Sequence, residues 1–315
     1  MSRVLVTGAS GFIGRHTIAA LLAQGHTVRA ALRQPAAIPG VETAAIGNID
    51  GATDWSAALA GMDAVIHLAA RVHVLNETEA EPITAFRAVN TIGTLHLARE
   101  ARAAGVRRFV FVSTIGVNGT ETPVNRPFTE FSPPMPESPY AISKWEAEQG
   151  LRAMERLETV IVRPPLVYGQ GAPGNFDTLA RIVRRGVPLP FGATTNRRSL
   201  IAAHNLADFL ARAVEHPRAA GETFLISDGD DVSTAQLLRR VAAASNQRLT
   251  LIPVLSGAAR FGLALIGRGK IASQLYGSLV IDSRKARDLL QWSPPVPMAH
   301  ALTLPAPESF AVVMS

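Results

Sequence analysis

Between residues 4 and 163, short β-branched and aliphatic runs alternate with longer amphipathic stretches, a pattern that restricts the chain to strand–helix–strand units around a parallel sheet. Strands are expected at 4–7, 27–32, 64–69, 109–113 and 160–163, and helices at 12–24, 54–60, 82–104 and 140–157. Gly25 and Gly105 stand where such helices end, since glycine tolerates the left-handed conformation of a helix C-terminus. A parallel sheet needs helices on both faces. The expectation is therefore a doubly wound α/β sheet of five or more strands. With 315 residues, 47% of them hydrophobic, the chain can bury that core and build a smaller lobe besides.

After Arg163 the texture changes, with Pro164, Pro165, Gly169, Gly171, Pro173, Gly174, Pro188 and Pro190 breaking a stretch that holds one helix, 176–185. Regular alternation returns with a helix at 205–215, a strand at 223–227 and a helix at 234–244. We expect a first domain over 1–170, rejoined by 199–227, and a smaller C-terminal α/β lobe over 171–315 that carries a substrate. The apolar segments of the last 60 residues, such as 261–266, read as helix packing in that lobe, with a membrane-surface contact as the minor alternative.

Between the first strand and first helix lies Gly8-Ala9-Ser10-Gly11-Phe12-Ile13-Gly14, spaced G-x-x-G-x-x-G. Glycines there permit a tight turn, let backbone N–H groups approach a pyrophosphate and allow close helix–strand packing, while the helix N-terminus favours negative charge. The position makes this a dinucleotide cradle, and the sheet a Rossmann-type one. At the end of the second strand, an NAD site wants a carboxylate for the ribose diol and an NADP site an arginine for the 2′-phosphate. That place reads Leu32-Arg33, with no acidic residue between Gly14 and Glu42, so NADP(H) is favoured and NAD(H) remains possible. Asn48 and Ile49, after the next short strand, are placed to flank the adenine.

Tyr140 and Lys144 lie four residues apart, on one face of a helix. The chain has three tyrosines and three lysines, so this spacing arises by chance at a rate of only about 0.03. A free phenol is about 0.1% ionised at pH 7. A neighbouring ammonium and an oxidised nicotinamide would lower its pKa and make it a proton carrier for a carbinol. Ser113 and Thr114 end a strand at the carboxyl edge of the sheet, where ligands bind in open α/β folds.

Other chemistries are excluded or disfavoured. The chain has no cysteine, which rules out disulfides, thiolate metal sites and a cysteine nucleophile. His67 and His73 have no third partner at a metal-ligand spacing, so no metal is expected. The net charge of +6 is spread along the chain, which suits anionic ligands and not nucleic acid. No run approaches the length of a membrane span, and the first residues do not read as a secretory signal. A cytoplasmic location is expected.

The motifs TGASGFIG, HLAA (67–70), VNTIGT (89–94), VSTIGVNG (112–119), SPYAISK (138–144) and RPPLVYG (163–169) together resemble the extended short-chain dehydrogenase/reductases, specifically the NAD-dependent epimerase/dehydratase branch acting on nucleotide sugars. The resemblance covers nearly the whole chain. It implies Thr114, Tyr140 and Lys144 as catalytic, Asn90 as a structural and proton-relay residue, and Ser113 as a neighbour at the substrate. It further implies that Leu68, Ala69 and Ala70 line the cofactor, that Pro164 to Val167 turn beside the nicotinamide, and that Asn175, Arg198 and Asp282 meet a nucleotide-diphosphate sugar. A homodimer through helices 82–104 and 140–157 is likewise implied.

Among the activities this resemblance allows, reduction of a 4-keto-6-deoxy sugar nucleotide comes first, because Arg33 fits a consumed NADPH. An NAD-retaining UDP-sugar 4-epimerase is the alternative. A dehydratase is disfavoured, since Ile115 follows Thr114 where an acidic residue would be needed. A reductase of a non-nucleotide carbonyl and a non-catalytic dinucleotide-binding protein are the lesser readings.

Overall fold

A computed structural model describes residues 1–72, 81–265 and 269–307. Seven strands, β1 (Arg3–Thr7), β2 (Thr27–Leu32), β3 (Glu42–Ala45), β4 (Ala64–His67), β5 (Arg108–Val112), β6 (Glu158–Arg163) and β9 (Thr223–Leu225), form one parallel sheet in the order β3-β2-β1-β4-β5-β6-β9. The remaining two, β7 (Leu166–Tyr168) and β8 (Leu200–Ala202), pair in parallel as a separate ribbon. The strand order reverses beside β1, so the C-terminal ends of β1 and β4 open the crevice where ligands bind in such sheets.

The period-2 pattern of each strand decides what the two faces bury. Val4, Val6, Ala30, Ile66, Val110 and Val162 face one way, against α1 (Phe12–Ala23) and α7 (Ala203–Glu215). Leu5, Ala31, Val65, Phe109 and Phe111 face the other way, against α2 (Ser56–Leu59), α4 (Thr94–Ala103) and α5 (Pro139–Arg152). α3 (Pro82–Phe86) runs into α4 through a π-helical segment, Arg87–Gly93. A third apolar cluster, including Phe176, Val183, Leu238 and Met298, packs α6 (Asn175–Arg184) and α8 (Thr234–Ala244) over the β7–β8 ribbon. The chain adds α9 (Ser256–Leu265), α10 (Gly269–Tyr276), α11 (Arg284–Leu290) and α12 (Met298–Ala301). No described helix is long and apolar enough to cross a membrane.

Three expected elements change on inspection. The strand expected to reach residue 69 stops at His67, because the Ala69 N–H turns to Thr7 Oγ1 (3.2 Å) and leaves the ladder. The helix expected to reach 157 ends at Arg152, since Arg156 is left-handed (φ 61°) and the Glu158 N–H joins Arg107 O to start β6. The 82–104 stretch is helical but not uniformly α. The β7–β8 ribbon was hidden behind the prolines flanking it.

Tyr168 ties this ribbon to the main body: its hydroxyl donates to Asp228 Oδ2 (2.6 Å), which also accepts from the Ala202 N–H, while Oδ1 accepts from Asn205 Nδ2. Tyr168→Phe is expected to lower stability by about 1.5–3 kcal/mol, the range for a hydrogen bond to a charged group, read as a fall in midpoint under urea without a change in slope.

Candidate active site

The turn between β1 and α1 can be built only from glycine at two places, for different reasons. Gly8 has φ +67°, and a Cβ on it would lie 2.8 Å from the Ala69 nitrogen. Gly14 has an ordinary backbone, but a Cβ there would sit 2.2 Å from Gly8 O. The turn is closed by the Gly11 N–H on Gly8 O (3.0 Å). Gly11 caps α1 with no side chain and no acidic residue follows in the first turn, so its leading N–H groups are left for an anion. Ser10, Phe12 and Ile13 complete the turn; Ser10 is exposed. These features fit the pyrophosphate of a dinucleotide.

Beneath the turn runs a buried chain of hydrogen bonds absent from the sequence reading. Thr7 Oγ1 accepts from Ala69 N–H and lies 2.7 Å from His67 Nδ1; His67 Nε2 lies 2.9 Å from Thr94 Oγ1. One ring nitrogen of the neutral imidazole donates and the other accepts, so the two threonines hold both ends of the ring. Burial, and secondarily Lys144, lowers the His67 pKa to about 3, so the ring is neutral. His67 is thus a brace between β1, β4 and α4. No group of three metal-ligating side chains exists among the described residues, and His73 lies outside them.

Around this cradle, Leu68 packs into the core and Pro164 O accepts from the Ile115 N–H (3.0 Å). Val167 pairs with Ile201 in the ribbon. Asn48 O accepts from Thr53 Oγ1, Ile49 packs against Gly93, and Ala70 is half-buried beyond β4. Arg33 is exposed just past β2 and makes no ion pair among the described residues.

α5 starts where Ser138 Oγ accepts the Ala141 N–H (3.1 Å) and Pro139 occupies the first turn. Tyr140 and Lys144 follow one turn apart. Lys144 is 1% exposed; Nζ donates to Val112 O (2.8 Å) and stands 4.3 Å from the centre of the Phe111 ring. Burial lowers its pKa to about 7, with Glu148 acting the other way. The Tyr140 ring meets Phe86 edge-on at 6.4 Å, and desolvation pushes the phenol up to about 12.

Thr114 caps the short 3₁₀ turn Ile115–Val117, its Oγ1 accepting from the Gly116 N–H (3.1 Å). A Cβ on Gly116 would touch both Thr114 Oγ1 and Ala141, which sets the threonine against the first turn of α5. Ser113 is turned elsewhere: its hydroxyl donates to Glu148 Oε1 (2.6 Å). Asn90, fully buried in the π segment, accepts from the Arg71 N–H and donates to Arg71 O and Ser143 Oγ. Ser143 Oγ donates in turn to Tyr140 O, so Asn90 braces the turn of α5 that carries the tyrosine.

Arg198 lies between Val232 and Leu279, with Nη1 on Gly277 O (3.1 Å). Burial lowers its pKa and Glu121 offsets this. Asp282 is held by Arg284, whose guanidinium reaches both carboxylate oxygens, and its pKa is lowered chiefly by that bond. Asn175 opens α6, and its side chain lies outside the described ones. The structure therefore gathers Thr114, Tyr140, Lys144 and Asn90 at the ends of β5 and α5, while Asp282 is engaged with its own loop. Glu148 and Arg163, which the sequence reading did not single out, stand directly behind this group.

The chain matches the NAD dependent epimerase/dehydratase family over residues 4–227. It is 40% identical over 297 residues to a UDP-glucose 4-epimerase of Vibrio cholerae, covering 93% of this chain and 90% of that protein. A 3-beta-hydroxysteroid dehydrogenase of Mycolicibacterium neoaurum is 30% identical over 276 residues, covering 81% and 73%. Among solved structures, the Thermus thermophilus UDP-glucose 4-epimerase in complex with NAD superimposes with a TM-score of 0.75 at 25% identity, covering 99% of this chain and 100% of that one. The cradle, the tyrosine–lysine helix and these relatives together make the chain an enzyme of the NAD dependent epimerase/dehydratase family, within the extended short-chain dehydrogenase/reductases.

Proposed function

We propose that this enzyme interconverts the C4 epimers of a UDP-sugar and retains NAD through the reaction. The observation that carries the reading is the Tyr140–Lys144 pair on α5, placed beside Thr114 in a chain related over nearly its whole length to a UDP-glucose 4-epimerase. That relationship favours the epimerase over the 4-keto sugar reductase that Arg33 alone put first.

The cradle of Gly8, Gly11 and Gly14 holds the pyrophosphate of the dinucleotide, with Leu68 to Ala70 and Pro164 to Val167 along its length. The bound oxidised nicotinamide supplies a hydride acceptor and a positive charge. In the resting site Tyr140 is a neutral phenol and Lys144 titrates near neutrality. Added positive charge favours phenolate, and the protonated lysine favours it further. Tyr140 then takes the proton of the C4 hydroxyl and later returns it, while Thr114 orients the same oxygen. Epimerisation requires the sugar to present its other face between the two proton transfers.

The test is to denature the enzyme as purified and identify the released nucleotide by mass spectrometry. Near-stoichiometric NAD is expected. An empty protein, or one carrying NADP, overturns the reading and returns the reductase, with Arg33 on the 2′-phosphate, to first place. Arg198 is assigned to the diphosphate through its forked donors. Arg198→Ala is expected to raise KM for a UDP-sugar roughly tenfold to a hundredfold with little change in kcat. An unchanged KM would remove Arg198 from the diphosphate site. We also assign a homodimer through α5 and the 82–103 helical stretch, where Ile92 is 52% exposed; light scattering at twice the chain mass is the expected result.

A further inference from the structure

Behind the reacting group lies a charge cluster with no access to solvent except at one end. Glu148 is 0% exposed and Arg163 2%. Glu148 Oε1 accepts from Ser113 Oγ (2.6 Å) and Arg163 Nε (2.9 Å); Oε2 accepts from Arg163 Nη2 (2.5 Å) and Arg152 Nη2 (2.9 Å). Arg163 Nη1 donates to Asn118 Oδ1 (3.0 Å). Every position is one step from the reaction. Ser113 precedes Thr114, Glu148 lies one turn beyond Lys144, and Arg163 precedes Pro164, whose carbonyl holds Ile115.

A buried ion pair is a poor device for stability alone, because the desolvation of both charges offsets their attraction. It does fix geometry, since a bidentate guanidinium–carboxylate contact tolerates little rotation. We propose that the Glu148–Arg163 pair is the positioning device of this active site, locking the ends of β5, β6 and α5 so that Thr114, Tyr140 and Lys144 keep one mutual geometry, with the Glu148 carboxylate opposite the Lys144 ammonium. The titratable groups that act on Lys144 are Glu148 on α5 and the neutral His67 on β4, with Tyr140 one helical turn before it; Arg163 on β6 and Arg152 reach it through Glu148. The kinetic part of this inference rests on the epimerase reading; the electrostatic part does not.

The chain contains three lysines, Lys144, Lys270 and Lys285, so a protein enriched with ¹³C at lysine Cε gives three resonances to titrate by NMR, and Lys144→Arg identifies the one that matters. In Glu148→Gln, an isosteric change, the Lys144 midpoint is expected to fall by about one pH unit or more. In Arg152→Met, at a position one-third exposed, it is expected to rise, because the carboxylate is then less neutralised. A cluster that does not reach Lys144 moves neither, and an unmoved Lys144 in these folded variants overturns the proposal, as does an unchanged kcat in Glu148→Gln. Should Glu148→Gln fail to fold, the direction of the Arg152→Met shift decides. With UDP-glucose as substrate, Glu148→Gln is further expected to lose roughly tenfold to a hundredfold in kcat with KM nearly constant. If the wild-type protein does not turn over UDP-glucose, the functional reading fails, while the titration still decides this one.

Discussion

Tyr140→Phe is expected to lower turnover by about 10²–10⁴-fold while leaving KM and the retained nucleotide nearly unchanged, because it removes the proton carrier and keeps the ring. The ring is kept, and with it the edge-on contact to Phe86, so stability is expected to hold. The lost group is the hydroxyl that burial pushes to about 12, one helical turn from the buried Lys144. The substitution keeps the phosphate cradle and Arg198, the groups assigned to the two diphosphates, so KM and nucleotide retention are expected to hold. Steady-state kinetics with UDP-glucose and UDP-galactose checks this, and turnover within tenfold of wild type would remove Tyr140 from the chemistry.

Gly14→Ala is the second large effect. A single methyl group would stand 2.2 Å from Gly8 O and 2.7 Å from Ala9 O, both backbone atoms that cannot swing aside as a side chain would. Relief requires α1 to move off β1, and this opens the turn whose N–H groups meet the pyrophosphate. The expected result is a loss of about 2–4 kcal/mol in stability together with loss of retained nucleotide, measured by denaturant unfolding and by the nucleotide content of the purified protein. Gly257→Ala is the control: a Cβ there meets nothing within 4 Å and the residue lies within α9, so stability is expected to hold or rise. An intact, nucleotide-loaded Gly14→Ala protein would contradict the close approach of α1 to the turn.

What could be read from the sequence was what depends on local periodicity. The alternation Val4-Leu5-Val6 announces a strand buried on both faces, and its two sides do belong to different cores. The glycine spacing at 8, 11 and 14 marks a turn whose physical need is visible without coordinates. Tyr140 and Lys144 share a helix face by arithmetic. What could not be read was set by partners distant in sequence. Nothing beside Ser113 in the sequence shows that its hydroxyl donates to Glu148 (2.6 Å), and nothing fixes the grip of Arg284 on Asp282 before the turn between them is seen. The bonds of His67 to Thr7 and Thr94, which hold both ring nitrogens, join residues 60 and 27 positions apart. The π segment that buries Asn90 has no local signature, and the ribbon of β7 and β8 was masked by its prolines. Arg33 was legible as a residue but not as a choice between reductase and epimerase, since an exposed arginine past β2 is compatible with either cofactor.

The most direct measurement is to incubate the enzyme as purified with UDP-glucose alone, adding no nicotinamide nucleotide, and to follow the sugar nucleotides by NMR. A cofactor-retaining 4-epimerase brings UDP-glucose to an equilibrium with UDP-galactose and leaves no net reduced nucleotide. UDP-glucose that stays unchanged, with or without added NAD, would contradict the account.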